Sequence, residues 1–199
     1  MMIDERSVEV PWLIANLGRP KRVLDVGAAG AKYLEVLTLI ADEVFALDTR
    51  AFAAPAGVQA FAGDAHAMPA EWSERFGVVT CVSTIDHIGL RAYGNEANPF
   101  ALETAVSEMW RVLRSGGRLL VTAPFGRDQV TTHPGGEQRV FGMEALRKLF
   151  DEARWEWLGR WFWRLLDEQY VGAIERDCTQ AEYDSFRAQA IVALALGKQ

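Results

Sequence analysis

Short apolar runs alternate with segments of helical periodicity along most of this sequence, and that alternation constrains its fold more than any other feature. Five runs of six or seven residues are predicted to be strands, at 22–27, 43–48, 57–62, 77–83 and 118–123. Apolar residues recur at helical spacing in three segments, at 31–41, 99–113 and 143–152. Parallel strands need a crossover, usually a helix, to carry the chain back between them. We therefore predict an α/β fold with a doubly wound, mostly parallel sheet.

Both ends of the chain add elements to this core. Pro11 is predicted at the first position of a short helix over 11–17, and Gly18 is predicted to end it. An aromatic-rich run at 154–164 and an apolar run at 189–196 bring the expected number of strands to seven. A loop-rich segment separates these two runs, so we expect the C-terminal strand to be antiparallel. The expected single domain comprises an N-terminal helix in 1–20, a core in 21–125 and a substrate-side loop with the last strands in 126–199.

Composition excludes several classes of protein. The 199 residues are 50% hydrophobic, which suffices for a buried core, and the net charge of −6 with no polybasic run argues against a dedicated nucleic-acid binder. Cys81 and Cys178 lack the number and spacing of a disulfide framework or a metal site. We expect neither a signal peptide nor a membrane span, because four of the first nine residues are charged and no apolar run approaches 18 residues. The expected location is the cytoplasm.

Polar and ionisable residues follow every predicted strand of the core. In a parallel sheet the carboxyl ends of the strands share one edge, where ligands of α/β proteins bind. All three histidines of the chain lie in these loops. The residues concerned are Asp25, Asp48, Asp64, His66, Asp86, His87, Arg127, Asp128 and His133. We predict a ligand site at this edge.

The loop after the first strand is compatible with two classes of cofactor. A dinucleotide site requires G-x-G-x-x-G and an acidic residue about 20 residues further on. Counted from Gly27, the second and third glycine positions hold Ala29 and Lys32, and Lys cannot provide the close helix–strand packing of the third glycine. Asp48 lies 21 residues after Gly27, where a carboxylate could accept hydrogen bonds from both hydroxyls of a ribose. An acid at that distance serves either class.

Taken together, the motifs resemble those of the class I S-adenosylmethionine-dependent methyltransferases. The resemblance covers residues 22–125, about half of the chain, and the order and spacing of its motifs are specific to that superfamily. The motifs are VLDVGAAG at 23–30, FALD at 45–48, AGDA at 62–65, VVTCVSTIDH at 78–87 and MWRVLRSGGRLLV at 109–121. STIDHIGLRAYG at 83–94 and QRVF at 138–141 look like a smaller, type 11-like bacterial branch. The resemblance implies a Rossmann-like methyltransferase fold and S-adenosylmethionine as the cofactor, with S-adenosylhomocysteine as the product.

The resemblance also assigns cofactor-binding residues. The first loop would hold the methionine moiety, Asp48 the ribose, and Asp64 with the Ala65 backbone the adenine. Ala29 replaces the usual second glycine, and its methyl group narrows the approach of a ligand to the backbone. The full set of implied cofactor residues is Asp25, Gly27, Ala28, Ala29, Gly30, Asp48, Thr49, Asp64, Ala65 and Ser83.

His87 is the candidate catalytic base, and Asp86 is the candidate group that orients it or contacts the substrate. A hydroxyl acceptor must lose a proton, which a positioned histidine can take. The alternative is that both residues only end the fourth strand and bind backbone groups. Some relatives bind a divalent ion through Glu-x-x-Glu-His, but Ser83 stands here where the first carboxylate would be. His133 or His66 as substitutes would suit magnesium badly, so we expect no functional metal.

Four tryptophans, Trp155, Trp157, Trp161 and Trp163, alternate in pairs, so each pair is predicted to project from one face of a strand. We expect them to pack the sheet edge against its helix, and the alternatives are an aromatic acceptor pocket or a dimer face.

The sequence as a whole favours a small-molecule methyltransferase, a monomer or homodimer with no nucleic-acid or membrane partner. The alternatives are a non-catalytic cofactor-binding or scaffold protein of the same fold and, less strongly, an NAD(P)-dependent oxidoreductase.

Overall fold

A computed structural model describes residues 4–133, 135–183 and 187–199 of the chain. The helices are α1 Arg6–Leu17, α2 Leu34–Thr38, α3 Ala101–Val112, α4 Met143–Leu149 and α5 Glu175–Cys178, with a 3₁₀ turn at Ala70–Trp72. The strands are β1 Arg22–Val26, β2 Glu43–Asp48, β3 Val58–Ala62, β4 Phe76–Val82, β5 Leu113–Pro124, β6 Gln129–His133, β7 Gly136–Val140, β8 Trp155–Leu166, β9 Gln169–Ala173 and β10 Ala190–Lys198.

The main sheet has the order β3-β2-β1-β4-β5-β10-β8-β9 in the described residues. The first five of these strands are parallel, and β10 is antiparallel to both β5 and β8. This confirms the doubly wound α/β architecture and the antiparallel C-terminal strand. The sheet has eight strands instead of the predicted seven, because the chain turns back after β8 and pairs 162–166 with β9. Asp167 and Glu168 make that turn with φ of 46° and 65°.

Helices cover both faces of the sheet. One face packs against the apolar side of α3, where Leu102, Ala105, Met109 and Val112 recur at helical spacing and are at least 91% buried. The other face packs against α1 and α2, through side chains such as Leu13, Leu17, Leu34 and Leu37. Burial of a side chain of this size contributes about 1.5–3 kcal/mol. The parallel strands β1, β2, β4 and β5 are therefore buried over most of their length, while β3 is a partly exposed edge strand, and their carboxyl ends lie at one edge.

The first helix begins five residues earlier than predicted, so Pro11 lies inside α1 and not at its first position. A proline inside a helix removes one backbone hydrogen bond. The extra turn is held by tertiary contacts of Glu9, whose carboxylate is fully buried and accepts hydrogen bonds from Arg6, Ser83 and Thr122. Local sequence rules do not include such contacts, which explains the difference.

Two further boundaries differ from the prediction. The helix over 31–41 is reduced to α2, five residues long. The long helix ends at Val112, and β5 already begins at Leu113, so Gly116 and Gly117 lie within the strand and do not cap the helix. Gly116 has φ of 68°, which a glycine adopts without strain.

Residues 126–140, predicted as a loop, contain an antiparallel hairpin formed by β6 and β7. Isolated bridges Ala92↔Gly136 and Phe125↔Phe141 tie this hairpin to the chain that follows β4 and β5. Gly136 has φ of 118°, and a Cβ there would overlap the backbone of Arg91. The hairpin therefore lies close against the carboxyl edge of the sheet.

The two tryptophan pairs lie on opposite faces of the sheet. A register shift between Ala195 and Leu196 of β10, opposite the segment 157–159 of β8, breaks the alternation of side chains. Trp155 and Trp157 pack with the core on the α3 side, while Trp163 belongs to the other side and Trp161 contacts Trp12 of α1, with ring centroids 5.5 Å apart. No helix within the described ranges is long and apolar enough to cross a membrane.

Candidate functional site

A cavity of about 350 Å³ lies at the carboxyl ends of the parallel strands. It is situated where the strand order reverses between β1 and β4, the point at which ligands bind in open α/β sheets. Its lining comes from the loops after β1, β2, β3 and β4, from the start of α1 and from residues 87–101. The lining residues are Arg6, Val26, Gly27, Ala29, Leu47, Asp48, Thr49, Arg50, Gly63, Asp64, Ala65, His66, Ser83, Thr84, His87, Ile88, Gly89, Tyr93, Asn95, Glu96, Asn98 and Ala101.

Seven of the ten residues implied for cofactor binding line this cavity: Gly27, Ala29, Asp48, Thr49, Asp64, Ala65 and Ser83. Gly27 is required by its surroundings, because it has φ of 85° and a Cβ there would overlap the side chain of Thr84. Thr84, which sequence analysis did not select, thus packs directly on the first loop. Its hydroxyl donates to the carbonyl oxygen of Val82 at 3.1 Å.

Asp25, Ala28 and Gly30 do not line the cavity. The carboxylate of Asp25 is fully buried within the sheet, where Oδ1 accepts hydrogen bonds from Thr80 at 2.5 Å and from Tyr33 at 3.0 Å. Burial raises the pKa of Asp25 to about 7, although the hydrogen bonds from Thr80 and Tyr33 act in the opposite direction. The structure therefore gives Asp25 a position that links β1, β4 and the first loop, behind the cavity wall.

Asp48, at the end of β2, is held by four hydrogen bonds. Oδ1 accepts from the backbone N–H of Arg50 at 2.9 Å and from its Nε at 3.0 Å. Oδ2 accepts from the backbone N–H of Ala29 at 2.9 Å and from Arg50 Nη2 at 3.2 Å. Burial favours the protonated form, but the hydrogen bonds from Arg50 and Ala29 prevail and hold the pKa of Asp48 below its usual value. The Asp48 carboxylate is therefore ionised at neutral pH, and these four hydrogen bonds fix its orientation.

Asp64 follows β3 and contacts His66. Its Oδ1 lies 2.6 Å from His66 Nδ1 and accepts the backbone N–H of His66 at 3.3 Å. Both contacts are to the same oxygen, so Oδ2 is the atom that Asp64 can offer to a ligand. Ala65, beside it, lines the cavity and is 8% exposed.

Ser83 belongs to a buried polar network that sequence analysis missed. Its hydroxyl donates to Glu9 Oε1 at 2.5 Å, and Thr122 donates to the same oxygen at 2.7 Å. Arg6 Nη1 donates to Glu9 Oε2 at 2.8 Å and to the Val82 carbonyl at 3.2 Å, and Arg6 also lines the cavity. The one available signal was an acidic residue, Glu9, next to the apolar face of an amphipathic segment. α1 thus contributes a cation to the site.

The His87 ring and the Asp86 carboxylate lie close to each other in the loop after β4. His87 Nδ1 lies 3.0 Å from the carbonyl oxygen of Glu137, which can only accept, so Nδ1 carries a hydrogen. His87 Nε2 lies 3.4 Å from Asp86 Oδ2. Asp86 is fully buried and accepts a hydrogen bond from Gln138 Nε2 at 2.7 Å. Both ring nitrogens of His87 therefore face protein oxygens, while the ring lines the cavity.

His133 lies behind His87, with ring centroids 5.4 Å apart, and does not line the cavity. Burial, together with the nearby His87 ring, lowers the pKa of His133. His133 Nδ1 accepts the backbone N–H of Gly135 at 3.0 Å. Arg127 and Asp128 also lie outside the cavity lining. Throughout residues 4–133, 135–183 and 187–199, no three His, Cys, Asp or Glu side chains are grouped so that they could hold a metal ion.

The tryptophans of β8 do not contribute to this cavity. Trp155 is 2% exposed and packs on Phe150 at the end of α4, and Trp157 donates to the Phe150 carbonyl at 3.0 Å. Their position matches the predicted role of packing the sheet edge against a helix. An acceptor pocket lined by these aromatic rings does not coincide with the cavity at the strand ends.

A family model described as "Caenorhabditis protein of unknown function, DUF268" matches residues 61–182, more than half of the chain. No curated protein sequence matches the chain.

Solved methyltransferase structures share the fold of this chain. An S-adenosylmethionine-dependent methyltransferase from Methanosarcina mazei superposes with a TM-score of 0.67 at 14% identity, covering 94% of this chain and 97% of that chain. The Burkholderia thailandensis 1,6-didemethyltoxoflavin-N1-methyltransferase, solved with its substrate and S-adenosylhomocysteine, gives 0.64 at 17% identity, covering 95% and 76%. The N-methyltransferase NodS from Bradyrhizobium japonicum, solved with S-adenosylhomocysteine, gives 0.64 at 15% identity, covering 98% and 87%. These similarities confirm the predicted class I methyltransferase fold.

Proposed function

This chain belongs to the DUF268 family, and we propose that it is an S-adenosylmethionine-dependent methyltransferase that acts on a small-molecule acceptor. The observation that carries the proposal is the convergence of the first loop, Asp48 and Asp64 on one cavity at the switch point of a methyltransferase fold. Structural relatives that bind S-adenosylhomocysteine support the choice of cofactor.

The donors and acceptors of the cavity fit this cofactor. Ribose hydroxyls and an exocyclic amine are hydrogen-bond donors, and carboxylates are the acceptors that suit them. Asp48 would receive the ribose hydroxyls, and Oδ2 of Asp64 with the Ala65 backbone would hold the adenine. Gly27 and Ala29 would lie along the methionine moiety.

Bound S-adenosylmethionine would supply an activated methyl group on a sulfonium, so the protein mainly has to position an acceptor in line with it. For a hydroxyl acceptor, we propose His87 as the base. Its Nδ1 hydrogen is directed at the Glu137 carbonyl, which leaves Nε2 as the proton acceptor in the neutral ring. Asp86 Oδ2, 3.4 Å from Nε2, would then stabilise the charged ring.

A second candidate is a cofactor-binding protein without catalytic activity. It is favoured by His87, both of whose ring nitrogens face protein oxygens, and by Ala29 and Ser83, which differ from the residues usual in methyltransferases. The two candidates share the cofactor and differ in turnover.

Calorimetric titration with S-adenosylhomocysteine tests the proposal, with NADPH and NADH titrated in parallel. We expect saturable binding of S-adenosylhomocysteine with a 1:1 stoichiometry, and no binding of NADPH or NADH. Failure to bind at millimolar concentration removes both candidates, and binding of a nicotinamide instead supports an oxidoreductase. Release of S-adenosylhomocysteine from S-adenosylmethionine in the presence of a mixed metabolite panel then separates an enzyme from a non-catalytic binder.

A further inference from the structure

The carboxylate of Asp48 has no hydrogen-bonding capacity left for a ribose. An ionised carboxylate offers about four lone-pair positions. Two are taken by backbone N–H groups, those of Ala29 and Arg50, which the fold keeps in place. The other two are taken by the side chain of Arg50. If Asp48 binds a ribose, only the two bonds to the Arg50 side chain can be exchanged.

Those two bonds have the arrangement that a vicinal diol would adopt. Arg50 Nε donates to Oδ1 at 3.0 Å and Nη2 donates to Oδ2 at 3.2 Å, one donor to each oxygen. A diol binding to a carboxylate also places one donor on each oxygen. The Arg50 side chain is 42% exposed, so its guanidinium can turn away into solvent without unfolding its surroundings.

Arg50 also contacts the loop on the other side of the cavity. Its guanidinium carbon lies 4.5 Å from the centroid of the Tyr93 ring, a cation–π contact. The Tyr93 ring in turn meets the ring of His87 edge to face, with centroids 4.9 Å apart. Tyr93 has φ of 53°, uncommon for a bulky residue, and Asn95 of the same loop donates to Thr49 at 3.4 Å. Arg50 thereby connects the ribose position to the acceptor side through Tyr93.

We propose that Arg50 is a positioning residue that occupies the ribose position on Asp48, so that a ribose must displace it and, in doing so, releases Tyr93 and the loop 89–98. This inference rests on the proposed function. It makes cofactor binding and access to the acceptor side a single coupled step. A ligand gains at Asp48 only the difference between its own hydrogen bonds and those of Arg50.

The test compares the wild type with Arg50→Met, which keeps the aliphatic stem and removes the donors. Titrated with S-adenosylhomocysteine, Arg50→Met should bind roughly two- to fivefold more tightly, the range for loss of a partly exposed ion pair that competes with the ligand. Arg176→Met, which removes an exposed arginine paired with Asp177 far along the chain, serves as the control and should leave the dissociation constant unchanged. If Arg50 only supported the fold, its removal would weaken the binding of S-adenosylhomocysteine.

Hydrogen exchange of the loop 89–98 provides the second readout. In the wild type, S-adenosylhomocysteine should increase exchange in this loop. In Arg50→Met, the loop should exchange faster without ligand and change little on its addition. If Arg50→Met is poorly folded, Tyr93→Leu serves as a second variant, because it removes the ring on which Arg50 packs. Its changes in S-adenosylhomocysteine affinity and in exchange of the loop 89–98 should have the same signs as those of Arg50→Met and be smaller.

The outcomes separate this inference from the proposed function. If S-adenosylhomocysteine binds the wild type and binds Arg50→Met equally or more weakly, Arg50 is not a competitor, and the inference is wrong while the function stands. If it binds neither protein, the proposed function itself fails.

Discussion

The side chain of Thr84, just after β4, occupies the space into which a Cβ on Gly27 would project, so the loop after β1 and the end of β4 lie in direct contact. This contact sets the floor of the cavity between the two strands at the switch point. It also explains why position 27 requires glycine beyond its φ of 85°.

Gly27→Ala is expected to destabilise the protein by about 2–4 kcal/mol, from positive φ and from overlap with Thr84. In the double variant Gly27→Ala, Thr84→Gly, the loss of stability caused by overlap with Thr84 should disappear, while the loss caused by the positive φ should remain. Urea unfolding of the three proteins measures both. Equal stability of Gly27→Ala and the wild type would mean that the loop lies elsewhere in solution.

Asp25 is expected to make stability depend on pH. Its pKa is about 7 in the folded protein and near its ordinary value of 3.8 in the unfolded chain. Between these values the folded protein binds more protons, so the free energy of unfolding falls as pH rises through this window. Asp25→Asn, which cannot ionise, should lack this loss, and the two proteins should differ in pH response by on the order of 2–4 kcal/mol. Asp42→Asn, at an exposed position, is the control. Parallel pH profiles for the wild type and Asp25→Asn would contradict the buried position of Asp25.

Asp48→Ala is expected to weaken S-adenosylhomocysteine binding by roughly threefold to fiftyfold, because hydrogen bonds to the ribose worth roughly 1.5–3 kcal/mol are lost, while the competing ion pair between Asp48 and Arg50 is lost with them. The fold should survive, because the strand pairs of β2 are made by its backbone. Titration calorimetry measures the change, and circular dichroism checks the fold. An unchanged dissociation constant would show that the ribose does not bind at the end of β2.

His87→Ala is expected to lower turnover by about 10²–10⁴ with a hydroxyl acceptor, while leaving the cofactor dissociation constant nearly unchanged. Asp86→Asn should lower turnover less, because Asp86 acts through the His87 ring. Near-normal turnover of His87→Ala would indicate an acceptor that attacks without a base. Loss of activity together with loss of folding would mean that His87 only supports the end of β4.

Much of the architecture could be predicted from local pattern. The runs at β1, β2, β4 and β5 are apolar because both sheet faces are covered, and polar residues follow them because the chain there leaves the core. Order and spacing therefore sufficed for the parallel core, and they placed Asp48, Asp64 and His87 at one edge.

Contacts between distant segments decided the rest. Glu9 could be assigned to the site only once α1 lay against Ser83 and Thr122, which are 74 and 113 residues away in the chain. Asp25 has a motif position typical of cofactor contact, yet its side chain points to Thr80 and Tyr33. The alternation of side chains along β1 determines which sheet face Asp25 is on, and the packing of neighbouring elements determines which hydrogen-bond donors it meets there. The hairpin β6–β7 and the turn into β9 likewise depend on tertiary partners. Local periodicity reports which face of an element is buried, but hydrogen-bond partners and cavity walls depend on packing between elements, and a single sequence carries no direct record of that packing.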